Sequence, residues 1–302
     1  MKAGLLFTLG ALTIAYLIVW YLAGRNAQAT EIKDPEKANR LTTPVQLFIG
    51  FLTNFFDTLG IGSFATSSSI FKLCQIVPDE LIPGTLNVGH TIPTIVEAFI
   101  FISIVRVDVR TLLSMIAASV AGAWFGAGIV TQWPKGKIRV GLGLALVGAA
   151  LLMLASQLNL FPIGSDREGL EGTRLVLGVL GNFLLGALMP LGIGLYAPCM
   201  ILVSLLGMNP KSAFPIMMGS CAFLMPVESV RFIRSRRYRM DVAIGLTLGG
   251  IPGVLLAAFL VKSLPLSAVR WLVVVVVLYT AAMLLRSAVL EARLRVATQR
   301  ET

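Results

Sequence analysis

The sequence predicts an all-α polytopic membrane protein: two homologous repeats, each a broken or re-entrant helical segment plus three transmembrane helices, preceded by one extra N-terminal helix. Three observations predict it. The chain has 302 residues, 56% hydrophobic and only 13% charged, with a mean hydropathy of +0.85, where a soluble domain carries about 25% charge. Its apolar runs are near the ~20 residues that a helix needs to cross a bilayer, rather than the ~10 alternating residues of a barrel strand. Finally, the stretch from Phe48 to Lys72 recurs in altered form from Gly181 to Leu206, with Gly60-Ile61-Gly62 answered by Gly192-Ile193-Gly194.

In chain order, Gly4 to Ala23 form the first apolar run. Ala27-Gln28-Ala29 behind it resembles a signal-peptidase site, but the run is longer than the roughly 7 to 15 residues of a signal-peptide core, so a retained helix is expected. The charged stretch Arg25 to Arg40 completes an N-terminal segment (1–45) as an interfacial linker. The first repeat (46–156) opens on a broken segment at 46–72 and continues in runs at 81–104, 108–131 and 137–156. A polar connection (157–174) leads to the second repeat (175–286), broken at 175–206 and followed by runs at 212–233, 240–262 and 266–286. The rest (287–302) is a charged tail, expected to be cytoplasmic.

The duplication extends past the glycines. Pro78 and Pro83 match Pro210 and Pro215 at the offset of the Gly-Ile-Gly pair, and Glu97, Pro134 and Arg139 match Glu228, Pro265 and Arg270 after one deletion. Each glycine motif halves a membrane-length segment, and glycine costs roughly 1 kcal/mol in a helix interior, so a break is expected at both. Paired interrupted helices mark the midplane site of transporters. Most of the 25 basic residues fall on the side holding 231–239 and the tail, which places the carboxyl terminus inside. That count is the same whether each broken segment crosses the membrane, making the repeats parallel, or returns as a half-depth hairpin, making them inverted. Arm length favours the hairpin.

The first break concentrates polar groups. Asn54, Asp57 and Thr58 precede Gly60 and Gly62, and Ser63, Thr66 and Ser67 follow. A helix starting at Gly62 or Ser63 presents free N–H groups, a positive dipole end and hydroxyl donors, which suits an anion. The second copy supplies Gly192, Gly194, Tyr196 and Cys199; these twelve are the candidate substrate-binding residues. Close helix packing by small hydroxyl residues is the competing explanation. Asp57, a carboxylate at membrane depth, is a functional candidate by default: it carries a coupling proton or it pairs with a basic group. On the next helix His90 and Glu97 share a face with Asn87 and Thr94, and Asp57, His90 and Glu97 are the candidates for proton coupling. Glu228 and Arg231 are spaced to pair within one helix.

The composition also excludes classes. Arginines and lysines lie between apolar runs, so the net charge of +10 sets topology and no nucleic acid is expected. Cys74, Cys199 and Cys221 have no metal-ligand spacing, so no metal or other cofactor is expected. No nucleophile with a paired base is visible, and the chain is read as a non-enzyme.

The duplicated openings GFLTNFFDTLGIG and GALMPLGIG, the proline-led turns VPDELIPGT and NPKSAFP, and the four-segment spacing after each opening resemble the sulfite exporter TauE/SafE family over roughly 46–286. The resemblance implies an inner-membrane carrier of small sulfur-containing anions such as sulfite or an organosulfonate, driven by the proton gradient, and it allows a homodimer. A secondary transporter is thus the leading expectation. The alternatives are a passive anion channel and a membrane assembly or scaffolding protein.

Overall fold

The computed structural model of the chain describes residues 2–31, 42–78, 81–129, 167–189 and 195–300, with scattered positions between 140 and 158. The helices are α1 (Lys2–Glu31), α2 (Pro44–Thr58), α3 (Ser63–Leu73), α4 (Ile82–Ile104), α5 (Val109–Ile129), α6 (Gly172–Leu188), α7 (Tyr196–Leu205), α8 (Ala213–Arg234), α9 (Met240–Ser263) and α10 (Leu266–Arg300), with a 3₁₀ turn at Pro210–Ser212. Among the described residues four segments are long and apolar enough to span a membrane: Lys2–Arg25, Ile82–Ile104, Pro210–Arg234 and Met240–Ser263. The elements follow the predicted runs closely, except that α1 and α10 continue past theirs. Most of the run predicted at 137–156, and Gly192-Ile193-Gly194 itself, lie outside the described residues.

The chain packs as two compact units, one of Met1–Val105 with Met218–Ser263, the other of Arg106–Met217 with Leu264–Thr302. This division concerns packing and cuts across the repeats, which concern similarity.

In the first unit, α2 is started by a capping box. Thr43 Oγ1 accepts from the Gln46 N–H, Gln46 Oε1 accepts from the Thr43 N–H at 2.9 Å, and Pro44 fills the first turn. Gln46 also donates to Asp241 at the start of α9. Arg239 binds the same carboxylate, takes the Thr85 hydroxyl on its own N–H at 2.9 Å, and reaches the Ile76 carbonyl at 3.4 Å. The beginning of α2, the end of α3 and the beginnings of α4 and α9 therefore meet at one end of the unit. Phe71 of α3 packs beside Ile49 of α2 in one apolar cluster. The first broken segment is thus a re-entrant hairpin that returns to the end it came from.

Glycine lets α2 and α9 approach closely. A methyl group on Gly249 would overlap the Leu47 carbonyl, one on Gly253 the Phe51 carbonyl, and one on Gly50 would lie 2.7 Å from the Leu246 backbone. On the other side of α9, Thr247 Oγ1 donates to the Gly89 carbonyl of α4 at 2.8 Å. The C-terminal part of α8 runs antiparallel to α4: Phe232 lies at Gly84, while Thr91 and Ser229 share a hydrogen bond of 2.9 Å. In the repeat read from the sequence, α8 is the counterpart of α4.

The second unit repeats the motif. Asp108 caps α5 by accepting from the N–H and hydroxyl of Thr111 at 2.8 and 2.9 Å. The Thr111 hydroxyl also accepts from the Leu170 N–H at 3.0 Å, anchoring the approach to α6. Asn209, beyond α7, donates from its backbone N–H to the Arg167 carbonyl at 2.8 Å, so α7 returns to the end where α6 begins. Here Gly122 of α5 meets the Phe183 carbonyl and the Ala187 nitrogen of α6, as Gly253 meets the Phe51 carbonyl and the Phe55 nitrogen. The alignment that places Gly60 on Gly192 and Glu97 on Glu228 carries each residue of one contact onto the other. Ser119 against Gly186 likewise answers Gly250 against Asn54, the larger side chain having changed helix.

The hydrogen bonds from the Thr111 N–H and hydroxyl hold the Asp108 carboxyl below its ordinary range. A depressed carboxylate adds stability above its unfolded pKa, near 3.9, and loses it as pH falls through the folded value. Asp108→Asn is accordingly expected to lower melting in detergent modestly at pH 7, the side chain being exposed, and to converge with the parent in acid, so that part of the acid sensitivity below about pH 4 is lost.

Candidate functional site

The tip of the first hairpin follows from its two glycines. Helix α2 ends in a Schellman motif, with the Gly60 N–H on the Asp57 carbonyl at 2.7 Å and the Ile61 N–H on the Phe56 carbonyl at 3.1 Å. Gly60 sits at φ +95° and Gly62 at φ +87°, where a side chain is strained. Gly62 is also the N-cap of α3 and offers no side chain to cap it.

Asp57 supplies the missing cap. Its carboxylate reaches across the break to accept the Ser63 N–H at 2.7 Å and the Ser63 hydroxyl at 3.0 Å. The two expectations for Asp57 were a coupling proton or a basic partner; the hydrogen-bond partner it has here is Ser63. The N–H of Ser63, expected to be free for an anion, is occupied by this internal carboxylate. Asp57 is 3% exposed and Ser63 2%, so the contact is shielded from water and strong for its length.

One turn back along α2, a hydrogen-bonded chain begins. Asn54 Nδ2 donates to the Gly50 carbonyl at 2.7 Å, which turns its Oδ1 toward His90 Nδ1 at 3.0 Å. Nδ1 therefore carries a hydrogen. The other ring nitrogen, Nε2, lies 3.0 Å from Ser67 Oγ on α3. Both contacts survive a change of charge, because neutral imidazole accepts there from the hydroxyl and imidazolium donates to it. Thr58 Oγ1 donates to the Asn54 carbonyl at 2.8 Å and lies 2.7 Å from Glu97 Oε1 on α4. One hydroxyl hydrogen cannot serve two acceptors, so both bonds are complete only when Glu97 holds a proton. Asn54, Thr58, Ser67, His90 and Glu97 are all fully buried, and Pro93 of α4 lies against Gly250 beside Asn54.

Seven of the candidate residues, Asn54, Asp57, Thr58, Ser63, Ser67, His90 and Glu97, thus gather at the tip of one hairpin, around Gly60 and Gly62. Thr66 turns away, its hydroxyl donating to the Ser63 carbonyl of its own helix at 2.8 Å. Tyr196 and Cys199 lie buried in the first turn of α7, in the second unit; Gly192 and Gly194 are outside the described residues. The sequence match places Met189, Leu195 and Cys199 where the first hairpin has Asp57, Ser63 and Ser67, so the carboxylate and the two serine hydroxyls have no counterparts of their own type there. Glu228 feels both its helix neighbour Arg231 and, from α4, Asn87; the second partner was not foreseen. Among the described residues no cluster of His, Cys, Asp or Glu is built to hold a metal ion.

An all-helical, multi-pass membrane protein whose re-entrant helical hairpin carries a buried, hydrogen-bonded chain of titratable side chains has the architecture of a membrane transporter. The chain belongs to the sulfite exporter TauE/SafE family, a family of membrane transporters, whose family model matches residues 2–153. The match takes in α1, which the resemblance read from the motifs had left outside, and it ends before the second hairpin. No curated protein and no solved structure gives a significant match.

Proposed function

We propose that this chain is a proton-coupled secondary transporter that exports a small anion, sulfite or an organosulfonate, across the inner membrane of a bacterial-type cell. The observation that carries this reading is the tip of the first hairpin, where an internal carboxylate occupies the N-terminus of α3 beside a buried chain of proton-bearing groups. An arriving oxyanion competes with Asp57 for the Ser63 N–H and hydroxyl, which are donors suited to either. Asp57, accepting two donors from Ser63, is the carboxyl placed to carry the negative charge that an anion displaces, and Glu97, facing the Thr58 hydroxyl, is the one placed to exchange a proton. His90, bonded to Ser67 through one ring nitrogen and to Asn54 through the other, links α3 to α2 and stands between them as the relay.

Taking the end that holds Arg231 to Arg239 as cytoplasmic, the first hairpin begins and ends on the cytoplasmic side, and the carboxyl terminus is assigned to that side by the same rule. The family's name supports sulfite as the first anion to test.

The test is flux in proteoliposomes. Sulfite is expected to move faster under an imposed proton gradient than with the gradient collapsed by an ionophore; equal rates would remove proton coupling from the proposal. Absence of trans-stimulation in counterflow would point instead to a passive channel.

A further inference from the structure

Glu228 takes no part in the reading above, yet in the repeat it holds on α8 the place that Glu97 holds on α4. It is half-buried. Arg231, one turn on along α8 and exposed, acts on it through its charge, and Asn87 of α4 through a side-chain hydrogen bond. Asn87 is 7% exposed, and its Oδ1 has no hydrogen-bond partner among the described residues. Nδ2 is therefore the atom that donates to Glu228, and a buried acceptor is left unserved beside a carboxyl group, a costly arrangement.

The hydroxyl hydrogens around Asn87 are already spent. Thr91 donates to the Asn87 carbonyl at 2.7 Å, so the 2.9 Å bond between Thr91 and Ser229 is donated by Ser229. Tyr16 of α1 donates to the Val88 carbonyl at 3.1 Å. The other titratable and charged groups on the elements packed here are engaged elsewhere: His90 with Asn54 and Ser67, Tyr238 against the Trp20 cluster, and Arg239 with Asp241. A proton on Glu228 completes the pair. The carboxylic acid donates its own hydrogen to Asn87 Oδ1 while its second oxygen keeps the bond from Nδ2. The carboxylate offers nothing to Oδ1 and is favoured by Arg231 instead, so the two neighbours favour opposite states of one group.

We infer that Glu228 is a further proton-binding residue of the transport cycle, ionised against Arg231 and protonated against Asn87. This rests on the proton-coupled reading above and adds the group that a proton meets first. Counted from the end of α4 beside Arg237, His90 lies about 4.5 Å and Glu97 about 15 Å deeper along the helix than Asn87. In taking a proton from water at that end, one carboxylate oxygen of Glu228 gains an O–H bond and passes from the field of the guanidinium to Asn87 Oδ1. Release of the proton reverses the step.

The full chain in detergent, without sulfite, is titrated from alkaline to acid pH, and the infrared band of protonated carboxyls is followed in the parent and in Glu228→Gln. The amide keeps both bonds to Asn87, so the variant is expected to fold and to lose the share of the band that belongs to Glu228. An identical band in both contradicts the inference and leaves a bound water as the partner of Asn87 Oδ1. In proteoliposomes the same variant is expected to lose sulfite-dependent proton movement, and movement equal to the parent's contradicts the inference. A parent that moves no proton with sulfite would end the proton-coupled reading itself, whatever the band shows, so the two failures are told apart. Should Glu228→Gln fail to fold, the parent alone decides. An apolar carbodiimide, which attacks a carboxyl in its protonated form, is expected to label Glu228 increasingly toward acid pH, and a Glu228 unlabelled throughout contradicts the inference.

Discussion

Asp57→Ala is expected to abolish transport and to lower stability by roughly 2–6 kcal/mol, since it leaves two buried donors on Ser63 without an acceptor at ~1–3 kcal/mol each. The tip has no other cap to offer, because Gly62 carries no side chain. Asp57→Asn separates the two consequences. Its amide oxygen still accepts the Ser63 N–H, and its NH₂ faces a hydroxyl that is able to accept, so the folded protein survives with most of its stability. What the amide removes is the negative charge that an entering anion displaces. Melting near the parent's together with lost or pH-insensitive sulfite flux is the outcome expected of Asp57→Asn. Parent-like flux and pH dependence would make Asp57 a structural cap and nothing more.

The second large effect is expected at the glycine seams. Gly253→Val and Gly122→Val each drive a branched side chain into a backbone carbonyl, Phe51 in one unit and Phe183 in the other. Backbone in a membrane helix cannot step aside as a flexible side chain does, so the cost lies at or above the upper end of the usual overpacking range, about 3 kcal/mol or more. Because the two contacts correspond residue for residue, the two variants are expected to be destabilised alike, which a melting series in detergent checks. Gly62→Ala provides the contrast. Its added methyl meets nothing within 4 Å and suffers only the unfavourable φ of +87°, worth roughly 1–3 kcal/mol.

How much of this is legible in the sequence depends on the range of the interaction. Apolar run length locates the helices, and the positional demands of glycine locate the first break to the residue, because both are local. The choice between hairpin and crossing is not local. It turns on Arg239 meeting Ile76 and Asp241 meeting Gln46, contacts between residues far apart in the chain, while the charge count is the same for either topology. The candidate residues at the first break are legible as types, being polar groups where apolar ones are expected. Their partners are not: Asp57 reads as a carboxylate in need of a cation because its actual partner, Ser63, approaches it only after two glycines have folded the backbone back. The difference between the hairpins is written in the alignment, in Met189, Leu195 and Cys199 opposite Asp57, Ser63 and Ser67. It becomes meaningful once the hydrogen bonds of the first hairpin are known.

The central claim is that the transported anion and its proton meet at the tip of the first hairpin. Sulfite-dependent proton movement, followed with a pH-sensitive dye trapped in proteoliposomes, tests it most directly when the parent is set beside Glu97→Gln. The amide keeps a donor for Thr58 but holds no exchangeable charge, so sulfite is expected to move protons in the parent and none in the variant, at matched protein incorporation. Equal proton movement in both would show that the proton travels by another route and would contradict the account.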